Sequence, residues 1–142
     1  MSEEKKSVIV MVPDVRLRTV CDQCNGVTDE MARNMFMLLR QLSGVGLAAP
    51  QIGIMQRFFV IANGFLFCNP KITPYGTRID VVESCLSIPD QSFKVPRYTG
   101  VHIESDFCCL NFEGFWSFVV QHEYDHLDGI LIDVKGRNFS TN

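Results

Sequence analysis

Apolar residues recur at helical spacing between positions 31 and 42, where Met31, Met35, Leu38, Leu39 and Leu42 stand three or four apart. Thr28 precedes this stripe as an N-cap, Asp29 and Glu30 fill the first turn, and Gly44 supplies a stop. Phe36 and Met37 fall on other faces, which predicts a helix buried on more than one side, its methionine-rich stripe serving as core packing. The pattern then changes period. Gln56 to Ala62 reads as a buried strand, and Asn63-Gly64 is a hairpin turn leading into Phe65 to Cys68. Asn69-Pro70 and Pro74-Tyr75-Gly76 mark loops. Ile79 to Val82, Phe93 to Val95, Val101 to Ser105 and Cys108 to Phe112 read as further short strands.

Gly114 opens a second helix whose first turns, with Phe115, Trp116, Phe118, Val119 and Val120, are apolar almost all round. Past Gly129, Ile130 to Val134 fits a last strand, and the polar tail 135–142 is expected to be disordered. At the other end, Ser7 to Val12 is a short apolar run closed by Pro13-Asp14, and Val15 to Thr19 is an irregular, mixed-charge entry. These elements predict an α+β fold, small antiparallel sheets around a central helix, in one domain spanning 1–142.

That second helix carries chemistry. In Gln121-His122-Glu123-Tyr124-Asp125-His126-Leu127-Asp128-Gly129 the two histidines are four apart, so they project from one face about 6 Å from each other. Two neutral imidazoles there suit one divalent ion, and Glu123, about 100° round, stands where it handles the proton of a water without being a ligand. The plainer alternative is an exposed helix with two surface histidines. The apolar residues leading into the motif argue against it, because unpaired imidazoles within an apolar wall are costly. A catalytic metal normally takes three protein donors. Ile132 stands where the HExxHxxGxxH pattern has its third histidine, and Asp128 and Asp133 lie too close to His126, so the search moves upstream to Cys85.

Two glycines and two alanines in Gly44-Val45-Gly46-Leu47-Ala48-Ala49-Pro50-Gln51 leave little side-chain bulk, inviting close approach to the backbone, although a tight turn before a strand explains the segment equally well. The Gln51 amide can donate to an oxygen in that gap. With 46% hydrophobic residues the chain has material for a real core, and a net charge of −3 leaves no basic footprint for nucleic acid. No apolar run is long enough for a membrane span or secretory leader, so a cytoplasmic protein is expected. The six cysteines, at 21, 24, 68, 85, 108 and 109, fit neither a disulfide scaffold nor a complete zinc site, and most should be free thiols. Cys21 and Cys24 look like half of a zinc knuckle or redox pair without the other half.

Three stretches together resemble the peptide deformylase family: Gly44 to Gln51, Glu83-Ser84-Cys85-Leu86-Ser87 and Gln121 to Gly129, in the family's order. The resemblance extends over most of the chain, with Pro13-Asp14, Leu17-Arg18, Asn69-Pro70 and Val95-Pro96-Arg97 as further landmarks. It implies a peptide deformylase-like fold and removal of the formyl group from the formyl-methionine of nascent peptides. Cys85, His122 and His126 are then the metal ligands, Glu123 the base and acid, and Gln51 with the Leu86 backbone N–H the donors to the oxyanion. The resemblance also implies iron(II) as the cellular metal, with zinc, nickel or cobalt able to occupy the site. The formyl-methionyl peptide would lie along Gly46, its side chain in a pocket walled by Val45, Phe115, Phe118 and Val119. Glu83 would border that pocket or pair with Arg97, a plain surface ion pair being the alternative, and Asp125 would hold a histidine or an arginine.

Ser84 departs from the pattern, standing where the family has glycine. Serine there strains the loop if positive φ is needed, or narrows the cleft if only close approach is needed. The long C-terminal helix that many members use on the ribosome is not expected here, which resembles phage-encoded or otherwise minimal deformylases. Transient ribosome contact then needs another surface, or none, and a monomer is expected. Two rival readings are an HExxH metallopeptidase cutting unformylated peptides and a metal-binding protein without catalysis.

Overall fold

The computed structural model describes residues 9–138. Helix α1 (Asp29–Gln41) begins where the pattern placed it: the Thr28 side chain accepts from the Met31 N–H at 3.1 Å. Met35 and Leu39 are buried, but Met37 is 57% exposed, so the helix is amphipathic and not buried on several sides. Its stop also differs from expectation. Ser43, not Gly44, takes the left-handed conformation (φ 53°), while the Gly44 N–H bonds the Leu39 carbonyl at 3.1 Å. Gly44 is there for space, since a Cβ would come within 2.9 Å of Leu39 Cδ1.

Strands β1 (Gly46–Ala48), β2 (Phe58–Ile61) and β3 (Leu66–Cys68) form one antiparallel sheet, with Gly64 (φ 100°) in the turn between the last two. One face of this sheet packs Phe58 and Val60 on Met35 and Leu39 of α1. The other packs Phe59, Ile61 and Phe67 on Val119, Val120 and Leu127 of a later helix. A strand covered on both faces has no solvent side, which is why Phe58–Ile61 is an unbroken apolar run.

The second sheet corrects the sequence reading. In place of several short strands it has a long β4 (Lys71–Cys85) and β5 (Ile88–Glu104), followed by β6 (Cys109–Glu113) and β7 (Arg137–Asn138), which pairs with β5. Pro74-Tyr75-Gly76 is no loop but part of β4. Pro74 is tolerated because β4 is an edge strand, and Gly76 (φ 85°) sits in the register shift between Tyr75 and Arg78. Solvent exposure of most of β4 broke the apolar pattern that would have revealed its length.

Helix α2 (Phe115–Leu127), opened by Gly114 (φ 68°), lies between the two sheets, touching Phe59 on one side and Val101 and Ile103 on the other. The expected strand at 130–134 is instead the short helix α3 (Ile132–Lys135), with Ile132 buried and Val134 exposed. The expected tail disorder is wrong for 135–138, because Arg137 and Asn138 pair with Lys94 and Phe93. Residues 139–142 of that expectation, and Ser7 and Val8 of the first apolar run, lie outside the described residues.

Candidate active site

Two side chains of α2 moor it to β5. Gln121 accepts from the Tyr98 N–H at 3.0 Å and donates to the Tyr98 carbonyl at 2.8 Å, and the Ser117 hydroxyl donates to the same carbonyl at 3.0 Å. At the far end Gly129 (φ 71°) is pressed on the chain at Arg18, where a Cβ would lie 2.6 Å from the carbonyl carbon. The helix is thereby fixed in rotation and along its axis. His122 and His126 emerge together, ring centroids 5.2 Å apart.

Cys85 arrives from the other side. It ends β4, and a tight turn of Leu86 and Ser87 folds the chain back so that Cys85 pairs with Ile88. Its Sγ lies 3.4 Å from His126 Nε2, and the ligand atoms of Cys85, His122 and His126 are all within 4.8 Å of one another. Donors bound tetrahedrally at ordinary metal–sulfur and metal–nitrogen lengths are about 3.3–3.6 Å apart, so this set fits a single divalent ion. The buried, unpartnered Glu123 Oε1 marks a polar need beside it.

The electrostatics suit the same purpose. Glu83 Oε1 lies 2.8 Å from His122 Nδ1, which orients the ring and leaves Nε2 for the side of Cys85. Burial alone would raise the Glu83 carboxyl, but Arg97 and His122 outweigh it and bring it down to about 2. Burial, with His122 and Arg97 nearby, holds His126 well below the ordinary histidine value and therefore neutral, the form that donates a lone pair. Burial tends to discharge His122 too, yet Cys85, Glu123 and Glu83 together raise it well above the usual range. Glu123 is 4% exposed, and that burial first of all, reinforced by Glu83 and Asp125 against His122 and Arg97, raises its carboxyl to about 7.

Arg97, 1% exposed, is the hub of the support. It grips both oxygens of Glu83 at 2.8 and 2.9 Å and Asp125 at 2.6 Å, and Asp125 also meets Lys135 at 3.0 Å. The Glu83 pair is thus not a surface ion pair, and Asp125 holds an arginine and not a histidine. Gln51 is 1% exposed; its carbonyl accepts from the Ala48 N–H at 3.0 Å, and its amide donates to Ser87 Oγ at 3.1 Å and faces Cys85 Sγ at 3.8 Å.

An open cavity of about 880 Å³ lies over these groups. Val45, Gly46, Gln51, Glu83, Cys85, Leu86, Phe115, Phe118, Val119, His122 and Glu123 all line it, so the residues singled out from sequence meet here, with His126 behind the wall. Sequence reasoning missed Ile9, Met11, Leu42 and Val82 on the same wall. They carry no motif, and only the fold brings their segments to the cleft. Ser84 lines the cavity from extended β4 and is not among the positive-φ residues Ser43, Asn69 and Asp90, so its backbone is unstrained. Cys21 and Cys24 are buried free thiols outside either cluster of metal-ligating groups among the described residues. No helix among the described residues is long and apolar enough to cross a membrane.

Fold and site define the class of metal-dependent hydrolases of the His-Glu-x-x-His type, with the thiol of an upstream cysteine, Cys85, brought up to the two histidines. The sequence profile described as Polypeptide deformylase matches residues 6–138. The chain is 33% identical to a peptide deformylase of Wolbachia pipientis from Culex pipiens over 89% of this chain and 84% of that protein. Peptide deformylase 1 of Clostridium perfringens is 34% identical over 83% and 89%. Among solved structures, a Plasmodium falciparum peptide deformylase in complex with an inhibitor superposes with TM-score 0.84 at 32% identity, covering 91% of this chain and 88% of that one. A Synechococcus elongatus peptide deformylase in complex with actinonin gives 0.85 at 30%, covering 92% and 78%. The chain belongs to the polypeptide deformylase family, metal-dependent hydrolases that remove the formyl group from nascent peptides.

Proposed function

We propose that Cys85, His122 and His126 hold the metal and that Glu123 carries the protons of formyl-methionine deformylation. The observation that carries this reading is the Cys85 sulfur 3.4 Å from His126 Nε2, beside a glutamate raised to about 7. When bound, the ion supplies Lewis-acid polarisation of the formyl carbonyl and makes a water acidic enough to attack near neutrality. A cysteine among the donors makes the site softer than a carboxylate would without selecting one metal, and iron(II) in the cell, with zinc, nickel or cobalt as substitutes, is taken from the resemblance to the family.

Glu123, titrating near neutrality, takes the proton of the attacking water and returns it to the departing amine, so one carboxylate acts in turn as base and acid. The Gln51 amide, fixed through Ala48, and the Leu86 N–H donate to the oxyanion, aimed where negative charge develops. The peptide lies extended along Gly46, its methionine side chain among Val45, Phe115, Phe118 and Val119, while Glu83 works through His122 and Arg97 from the cavity wall. Ser84 narrows the mouth of the cleft. The protein acts as a monomer in the cytoplasm, meeting the ribosome transiently.

The test is formate release from an N-formyl-methionyl tripeptide by anaerobically prepared enzyme, beside the unformylated peptide. Release from the first with the second intact supports the reading, and so does its loss in Glu123→Ala with metal retained. Cleavage of the unformylated peptide, or formate release that survives Glu123→Ala, overturns it.

A further inference from the structure

At the end of β5 remote from Cys85, the outer face of the β5–β6 ladder carries another meeting of imidazole, thiol and carboxylate. His102 and Glu104, two apart on β5, share a face, and the register sets Asn111 and Cys109 of β6 directly opposite them on that face. Asn111 Oδ1 lies 2.6 Å from His102 Nδ1. An acceptor at that distance places the ring proton on Nδ1 and leaves the lone pair on Nε2, the arrangement by which an outer hydrogen bond prepares a metal-binding histidine. Nε2 in turn faces Cys109 Sγ at 3.3 Å and Glu104 Oε1 at 3.5 Å, and the three ligand atoms lie within 4.8 Å of one another.

Those separations carry the argument. Sulfur, nitrogen and oxygen donors bound to one zinc-type ion at about 2.3, 2.0–2.1 and 2.0–2.2 Å stand about 3.3–3.6 Å apart along the edges of a tetrahedron. We propose that His102, Glu104 and Cys109 form a second divalent-metal site, for a borderline ion such as zinc, with the fourth corner open to water. It is independent of the catalytic centre, since none of the three residues lines the cavity over Cys85. Its ligands come from two neighbouring strands, so the ion clips β5 to β6 and stabilises the folded chain by binding it in preference to the unfolded one.

The experiment uses zinc-loaded full-length enzyme, with bound zinc counted at equilibrium against a chelator of known affinity. Two equivalents are expected in the wild type and one in Cys109→Ser or His102→Ala, both of which keep wild-type formate release. Cys85→Ser keeps the β5–β6 equivalent while losing the catalytic one, which separates this proposal from the reading of the active site. A second readout is alkylation of Cys109 by iodoacetamide, followed by peptide mapping. Zinc at ten times its dissociation constant should slow the reaction about tenfold in the wild type and leave it unchanged in His102→Ala. An equal zinc count in wild type and Cys109→Ser, or undiminished alkylation of Cys109 under saturating zinc, overturns the proposal.

Discussion

Glu83 Oε1 sits 2.8 Å from His122 Nδ1 while the same carboxylate is held by Arg97 through both its oxygens. The hydrogen bond orients the imidazole and raises its basicity, and the arginine keeps the carboxylate charged. Glu83→Gln keeps a carbonyl acceptor but loses the charge. Metal affinity should fall about 10–100-fold, measured by competition with a chelator.

Gly46 and Glu123 are in closer contact than a side chain would allow. A Cβ at Gly46 would meet Glu123 Oε2 at 2.5 Å and Cγ at 2.7 Å, and Glu123 is walled in by its own burial. Gly46→Ala must therefore displace the carboxylate. A shift of about 1 Å in a catalytic group costs on the order of 10²-fold in rate. We expect a loss of that size in kcat for formate release, with metal content unchanged, whereas Gly64→Ala, whose Cβ meets nothing within 4 Å, should leave kcat alone.

How much of this was legible in the sequence follows from how local each signal is. Helix α1 and the histidine helix could be read because capping and the 3.6-residue period act within one turn or two, and His122 and His126 come from a single helix face with Glu123 about 100° round from it. The Asn63-Gly64 turn could be read for the same reason. Strand β4 could not, because an edge strand exposed along most of its length has no apolar alternation to show, and Pro74 imitates a loop. The role of Arg97 needed the third dimension, since Glu83 and Asp125 are 14 and 28 residues away from it. The cavity wall from Met11 and Val82 is likewise a product of packing, with no residue-level signature.

Arg97 is 1% exposed and balances two carboxylates, Glu83 and Asp125. Removing one partner of a buried ion pair is more damaging than never having had it, because the remaining charge has lost its counter-charge and cannot reach water. Arg97→Ala should lower unfolding stability by about 3–5 kcal/mol in a urea titration. Arg97→Lys should recover only part of this, since an ammonium cannot reproduce the two-oxygen grip on Glu83.

Ser84 occupies an extended, exposed position on β4, with no strain to relieve. Glycine there would loosen the unfolded chain more than the folded one. Ser84→Gly should accordingly lower stability by about 0.5–1 kcal/mol while enlarging the cleft mouth, so KM for peptides with a bulky second residue should fall. A rise in melting temperature would show that the serine is strained after all.

The last relationship sets a pH dependence away from the site. Arg18 Nη2 donates to Asp133 Oδ2 at 2.7 Å, tying the segment Val15–Arg18 to α3 close to where Gly129 ends the histidine helix. The Arg18 hydrogen bond, foremost, lowers the Asp133 carboxyl below its ordinary value in the folded protein. A group depressed on folding contributes stability above its unfolded value and loses it as pH falls through the folded one. Both side chains are about a third exposed, so solvent screening limits the tie to about 0.3–1 kcal/mol. Asp133→Asn should thus be less stable than wild type by that amount at pH about 6–7, and the gap should close as pH drops below about 4, the ordinary range of an aspartate. Added salt should shrink the gap at neutral pH, because the pair is open to solvent. Urea unfolding of both proteins across this range, at low and high salt, measures it, and a gap that widens towards acid would mean that Asp133 is protonated more readily when folded, contrary to its contact with Arg18.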